Sequence, residues 1–338
     1  MGDGVHAGKI PAAVIGLGRI GSLLEEDPLR EKPCTHAGAI AASGDCFLAA
    51  GMDTDRDRRD AFARTWGCPV FDSAEAMLRE ARPRIVHVAT HPDTHLDYCL
   101  LAERCGVPVV VCEKPLADTL GKARKIAAIP KRSSTRILVN HERRYALDYQ
   151  TMKAVIDSGV LGPLRSVSGT LYMGRGRPII DVLWHDGVHL VDIAAFLFGG
   201  TAAHTSRAGA SLGARSGSVF LGGEIRRRDA EAVPFCLEAG GGRDHIVFEV
   251  GGSFERGRIR IGNGVYEVWK SVESPYAAGF RSLALETGAF AGPTGYFARM
   301  IDDAARLVGD PRGEPLSSAA TALGAIEYLT SVSRWRAF

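Results

Sequence analysis

Residues 10–21 read Ile10-Pro11-Ala12-Ala13-Val14-Ile15-Gly16-Leu17-Gly18-Arg19-Ile20-Gly21. An apolar run stops at a glycine triplet spaced GxGxxG. The run has the character of a buried strand, and the glycines turn the chain toward a helix. Glycine suits that turn because a pyrophosphate must approach backbone N–H groups at a helix start. A tight strand–helix turn without ligand is the alternative reading. Working outward, residues 47–52 read as a second strand ending at Asp53, and 55–66 and 73–80 as helices. Residues 85–89 read as a strand followed by a helix to Cys105, and 109–112 as the next strand. A helix over about 120–129 and a strand at 137–140 complete this half. Strands alternating with helices specify an α/β fold with a doubly wound parallel sheet, a Rossmann domain over residues 1–141.

The second half changes character. Residues 149–158 read as a helix, 164–172 as a strand, and 185–198 as an amphipathic helix closed by Gly199-Gly200. From 203 to 272, Gly-punctuated alternating segments such as Arg258-Ile259-Arg260-Ile261 imply an open, mainly antiparallel sheet. Helices at 296–308 and 317–334 end the chain. The expectation is a C-terminal α+β domain over 142–338.

Charge excludes some functions. The 338 residues carry a formal net charge of +2 with both signs interspersed, which argues against a nucleic-acid surface. The tract Arg226-Arg227-Arg228, followed by Asp229 and Glu231, reads as a solvated turn. No apolar run is long enough for a membrane span, and residues 1–9 lack an apolar signal core. Seven scattered cysteines without CxxC spacing fit reduced thiols in a cytoplasm.

Two stretches carry chemistry. In Val109-Val110-Val111-Cys112-Glu113-Lys114-Pro115 a buried parallel strand ends in an acid, a lysine and a proline. Ligands in open α/β sheets sit beyond such carboxyl ends, so Lys114 stands where chemistry occurs. An ordinary charged turn is the alternative. Asp53, at the end of the second strand, can accept hydrogen bonds from ribose hydroxyls and would repel a 2′-phosphate. That favours NAD, with Arg56 and Arg58 keeping NADP possible. Asp53 lies 32 positions after Gly21, against about 20 in the usual fingerprint. The surplus falls at 25–35, a charged stretch with two prolines, read as an insertion that interrupts or displaces the first helix. Arg30, Lys32 and His36 are its candidates for substrate or cofactor contact, and an exposed surface loop is the alternative. The second stretch is Trp184-His185-Asp186-Gly187-Val188-His189-Leu190-Val191-Asp192. On a helix His185 and His189 share a face and Asp186 neighbours His189, so a proton can be exchanged near neutral pH. A structural histidine or a metal-binding HxxxH are the other readings; with no third strong ligand evident, no metal is expected.

In order along the chain stand GxGxxG, Ala89-Thr90-His91-Pro92-Asp93-Thr94-His95, Glu113-Lys114-Pro115 and Gly187-Val188-His189-Leu190-Val191-Asp192. Together with Leu161-Gly162-Pro163-Leu164, this pattern resembles the glucose–fructose oxidoreductase / inositol dehydrogenase / MocA (Gfo/Idh/MocA) family. The resemblance implies hydride transfer between NAD(P) and a carbinol carbon of a sugar, sugar derivative or cyclitol. It implies Lys114 and His189 as the catalytic pair, with Asp186 and His185 beside them. Many members carry an Asp where this chain has His185. Cofactor contacts are expected at Gly16, Gly18, Arg19, Ile20, Gly21, Asp53 and Thr54. The loops beyond the later strands add Ala89, Thr90, His91, Pro92, His95, Glu113 and Lys114. Substrate contacts are expected from Lys114, Arg144, Tyr172 and Arg175, with Arg177 nearby, and from Asp186, His189 and His36. The charged insertion and the arginines near Tyr172 point to a charged substrate, such as a sugar nucleotide or uronate. A homodimer or homotetramer through the C-terminal sheet is implied. A redox-neutral NAD-dependent glycosidase and a non-catalytic sugar- or dinucleotide-sensing regulator are the alternative functions.

Overall fold

The computed structural model describes residues 8–228 and 230–334. The chain divides into two compact units, Met1–Ala146 with Pro293–Leu323, and Leu147–Gly292 with Gly324–Phe338. This corrects the linear division at residue 141 in two respects. The first unit runs on to Ala146, and a C-terminal segment returns to it.

The first unit is built from β1 (Ile10–Ile15), α1 (His36–Ala42), β2 (Cys46–Met52), α2 (Arg56–Trp66), β3 (Val70–Phe71) and α3 (Ala74–Ala81). It continues with β4 (Ile85–Val88), α4 (His95–Arg104), β5 (Val109–Cys112), α5 (Leu120–Ala127), α6 (Ile129–Arg132) and β6 (Arg136–Val139). The six strands are parallel in the order β3-β2-β1-β4-β5-β6, the Rossmann arrangement. Val109, Val110 and Val111 are fully buried on both faces, as a central parallel strand requires. Ser73 and Thr119 cap α3 and α5 by accepting from backbone N–H groups three residues on.

The second unit holds α7 (Leu147–Asp157), β7 (Leu164–Met173), α8 (Ile179–Val182) and α9 (Val188–Phe198). Seven strands follow: β8 (Gly200–Gly209), β9 (Gly217–Arg227), β10 (Ala230–Gly241), β11 (Ile246–Phe254), β12 (Gly257–Gly262), β13 (Val265–Glu273) and β14 (Arg281–Thr287). They form one eight-stranded sheet in the order β14-β13-β12-β11-β7-β10-β9-β8. Every pairing is antiparallel except β7 with β10. Strand β14 was not expected from the sequence. Arg226 pairs with Glu224 and Arg227 donates to the Glu231 carbonyl, so this tract is occupied within its hairpin; Asp229 lies outside the described residues.

The helix expected from residue 185 begins earlier. A π-helical turn at Leu183–Gly187 joins α8 to α9. Nor is α9 amphipathic, because it packs against β7, β8 and β11 on one side and α7 on another. Residues 188–194 are all buried.

After β14 the chain forms α10 (Tyr296–Gly309) and α11 (Ala319–Arg334). Phe297, Met300, Ile301 and Ala304 of α10 share a core with Val14, Ile85, Val109 and Val111, which is why this segment belongs to the first unit. No helix among the described residues is long and apolar enough to cross a membrane.

The insertion is a fixed structure. His36 N donates to the Ile20 carbonyl at 3.1 Å and Ala37 N to that of Gly21 at 3.0 Å. The first helix is therefore stitched together across the excursion from Ser22 to Thr35. Within it Glu25 accepts from Cys34 N and Thr35 Oγ1, and Lys32 Nζ donates to the Leu24 and Asp27 carbonyls. Glu31 accepts from Thr294 N and Gly295 N, the backbone that leads into α10. The charges of this stretch are largely spent on holding it together, and Glu31→Ala should lower stability by roughly 1–3 kcal/mol. A thermal melt reads this as a lower Tm; an unchanged Tm would show that the bonds to α10 contribute nothing.

Candidate active site

The three motif glycines do different work. Gly16 has φ +92°, and a Cβ there would lie 2.7 Å from the Ala89 carbonyl oxygen. A Cβ at Gly21 would run into the Gly16 carbonyl. Gly18 is the open one: a Cβ would meet only the Arg58 guanidinium, 3.7 Å away. Its backbone is approachable from outside, as a pyrophosphate cradle requires. Arg19 is exposed beside it.

Asp53, 7% exposed, turns its carboxylate toward the same turn. Its Oδ2 accepts from Leu17 N at 2.9 Å and its Oδ1 from Asp55 N at 3.0 Å. Arg58 stands 3.6 Å from Oδ2. The carboxylate keeps lone pairs for ribose hydroxyls. Thr54 is exposed, and its carbonyl accepts from Arg59. These residues fit a dinucleotide.

Beyond β4, Thr94 Oγ1 donates to Thr90 Oγ1 and the His91 carbonyl accepts from Thr94 N. His95 is fully buried. Its ring nitrogens lie 3.1 Å from the Thr90 carbonyl and 3.3 Å from that of Leu116. It ties the loop after β4 to the loop after β5, and burial holds its pKa below the ordinary value. Pro92 belongs to the first of these loops.

The end of β5 holds a buried polar cluster. Glu113 Oε1 accepts from His36 Nε2 at 2.9 Å and from Asn140 Nδ2 at 2.6 Å. Oε2 accepts from the Lys114 backbone N–H at 3.1 Å. Burial alone would raise the Glu113 pKa. The His36 hydrogen bond and charge, with Lys114 and Asn140, outweigh it and hold the carboxyl at about 2. The Nδ1 atoms of His36 and His87 stand 2.8 Å apart, at hydrogen-bond distance. Desolvation, then the charge of His36, keeps His87 well below the usual imidazole range. Lys114 is half-buried, and its peptide bond to Pro115 is cis.

His36 therefore corrects an expectation. It is completely buried and edge-on to Phe297, so it lies inside the unit rather than on a loop reaching for substrate. Arg144 is also buried, and its guanidinium donates to the Leu316 carbonyl. Neither His87 nor Asn140 was singled out from the sequence. The available signal was a histidine inside the apolar run Ile85-Val86-His87-Val88.

In the second unit His189 and Asp192 are both buried, one turn apart on α9. Asp186, in the π turn, accepts from His185 Nδ1 and from Arg177 Nη1, each at 2.9 Å. Both of its oxygens are thus engaged, and His185 itself is exposed. Arg175 is exposed. Tyr172 corrects another expectation. Leu171 is buried beside the π turn at Gly187, so strand alternation sends Tyr172 to the opposite face of the sheet. There the Arg243 guanidinium covers its ring at 3.7 Å. Tyr172 thus points away from the face that carries His189. Among the described residues no group of three or more His, Cys, Asp or Glu side chains could hold a metal.

The first unit is thus a dinucleotide-binding Rossmann unit. Residues 10–141 match the GFO_IDH_MocA model, described as an oxidoreductase family with an NAD-binding Rossmann fold. The D-glucoside 3-dehydrogenase of Escherichia coli (strain K12) is 26% identical over 215 residues, 59% of this chain and 57% of that protein. Inositol 2-dehydrogenase 2 of Saccharopolyspora erythraea is 32% identical over 203 residues, 57% of this chain and 56% of its own. The chain spans little more than half the length of these relatives. The solved UDP-N-acetylglucosamine 3-dehydrogenase of Acidithiobacillus ferrooxidans shares the fold, with a TM-score of 0.75 at 16% identity over 96% of each chain. Residues 10–141 thus carry the NAD-binding Rossmann region that the family model describes, and the similarity to these dehydrogenases extends over little more than half of the chain.

The glycine geometry separates binding from folding. Gly18→Ala should leave the melting temperature nearly unchanged and weaken dinucleotide binding about tenfold, about 1.4 kcal/mol. Gly21→Ala should destabilise by about 1–3 kcal/mol through its backbone clash. Titration with NADH fluorescence and a thermal melt of both variants check this; equal effects on the two readouts would contradict it.

Proposed function

We propose that this chain is an NAD(P)-dependent dehydrogenase that transfers a hydride between nicotinamide and a carbinol carbon of a sugar, sugar derivative or cyclitol. The observation that carries the reading is the Glu113–Lys114 turn. It presents a lysine at the carboxyl end of a buried parallel strand, in the same row of strand ends as Gly18 and Asp53. The D-glucoside and inositol dehydrogenases named above support a polyol class of substrate.

The bound nicotinamide supplies the two-electron chemistry. This chain's residues manage the proton. His189 takes the proton of the reacting hydroxyl during oxidation, because an imidazole exchanges protons near neutral pH. The Lys114 side chain hydrogen-bonds the reacting oxygen and stabilises its developing negative charge. Glu113 fixes the turn through the Lys114 N–H. Asp186 is held by His185 and Arg177 and supports its segment of the π turn. Arg175, exposed near that turn, is the side chain for an anionic part of the substrate, as in a uronate or sugar nucleotide.

Asp53 favours NAD, since a carboxylate repels a 2′-phosphate, while Arg58 beside it softens that preference. All seven cysteines are free, which fits a cytoplasmic setting. Assembly as a dimer or tetramer through the sheet of the second unit completes the reading. Exposed Phe220, Leu283 and Leu285 on that sheet support it.

The test is absorbance at 340 nm with NAD or NADP over a panel of neutral sugars, cyclitols, uronates and sugar nucleotides. Lys114→Ala should lower turnover by about 100-fold or more while dinucleotide affinity stays within about threefold. Near-wild-type turnover in that variant would overturn the mechanism. Asp53→Ala should lower the NAD/NADP ratio of kcat/KM by about tenfold; an unchanged ratio would remove Asp53 from cofactor selection.

A further inference from the structure

One helix and three strands of the first unit send a side chain or a following residue to one buried polar chain. His36 opens α1, His87 lies on β4, Glu113 follows β5 and Asn140 follows β6. The ends of the chain are unequal. At one end Glu113 accepts three hydrogen bonds, one of them from the Lys114 backbone. At the other, His87 Nε2 is buried and has no hydrogen-bond partner. His36 alone joins the two, with Nε2 on Glu113 and Nδ1 on His87.

An ionised carboxylate among apolar strands is costly unless donors reach it. Asn140 and the Lys114 N–H are neutral donors; His36 can add charge. His36 is also the residue that the insertion delivers. Thr35 immediately before it caps α1 by accepting from Gly38 N, and Glu25 accepts from both Cys34 N and Thr35 Oγ1. A Cβ at Gly38 would push the Glu25 carboxylate away from this position. The excursion of residues 22–35 thus sets where His36 stands.

We propose that His36 is a positioning residue of the dehydrogenase site, holding the Glu113 side chain in place so that the Glu113–Lys114 turn presents the Lys114 side chain in one geometry. The proposal rests on the dehydrogenase reading for its kinetic arm only. The titratable groups that face Glu113 are His36 from α1, Lys114 beside it, His95 from α4 and the Cys112 thiol beneath; His87 stands behind His36, and Asn140 is neutral. If the His36 donor is lost, the buried carboxyl rises toward and past its ordinary range. The protonated fraction then grows as pH falls, so turnover is lost on the acid side.

Two substitutions separate this from a packing role. The amide of His36→Gln lies where Nε2 lies and keeps a donor on Glu113. The amide of His36→Asn lies where Nδ1 lies, keeps the contact to His87 and abandons Glu113. His36→Asn should lower kcat about 10- to 100-fold, with dinucleotide affinity within about threefold, and move the acid limb of the kcat–pH profile upward by about one unit. His36→Gln should recover kcat to within about threefold of wild type. A residue that only fills space would make the two variants behave alike, and that result would overturn the proposal.

An independent arm needs no substrate. With glutamate labelled at the carboxyl carbon, the Glu113 resonance, assigned by its loss in Glu113→Gln, should stay at the ionised position from pH 8 to 5 in the wild type. It should titrate inside that window in His36→Asn. A Glu113 that stays ionised there in His36→Asn would also overturn the proposal. If no sugar or cyclitol supports hydride transfer in the wild type, the dehydrogenase reading fails and the carboxyl titration alone decides the role of His36. Should His36→Asn not fold, Glu113→Gln takes its place in the kinetic arm, where wild-type kcat would overturn the proposal.

Discussion

The ionised carboxylate of Glu113 sits among fully buried strands, and the first unit is organised around keeping it there. Its three donors come from three places: the start of α1, the residue after β6, and the backbone of the following lysine. Each constrains a different piece of chain. The bond to Lys114 N shapes the turn that leaves β5. The bond from Asn140 ties the end of β6 to the end of β5. The bond from His36 fixes α1 against the sheet, although 14 residues separate it from the chain that begins that helix at Gly21. Apolar burial supplies most of the stabilisation of such a sheet. This polar cluster decides instead where its loops point.

The insertion follows the same logic. A doubly wound fold needs a helix after its glycine turn, and residues 22–35 could not supply one because of two prolines and dense charge. The chain loops out and returns, so that His36 N and Ala37 N bond Ile20 and Gly21 as the next helical residues would. Its carboxylates then serve inward. Glu25 reaches the start of α1 and Glu31 the start of α10. A stretch that reads as solvent-facing charge becomes a brace between the glycine turn and a helix that begins 275 positions after Gly21.

The second unit shows how alternation and helix period assign side chains to faces. Leu171 and Tyr172 are neighbours in β7, yet one is buried beside the π turn and the other lies under the Arg243 guanidinium. A wide π turn at Leu183–Gly187 breaks the 3.6-residue period on which the His185–His189 pairing was argued. Asp186 is consequently engaged by His185 and Arg177 within its own turn.

Local chemistry made much of this molecule legible in advance. The apolar runs of β1, β4 and β5 marked a parallel sheet, and the GxGxxG turn with Asp53 marked its nucleotide end. Such features depend on residues close in sequence, where period and steric need speak directly. The surplus of residues before Asp53 likewise exposed the insertion, because a spacing rule can be counted. The course of that insertion, the burial of His36, its pairing with His87, and the outward turn of Tyr172 were decided by tertiary structure alone. The return of α10 to the first unit was too. Each depends on groups tens or hundreds of residues apart competing for the same buried donors and the same apolar surface. No local window contains both competitors.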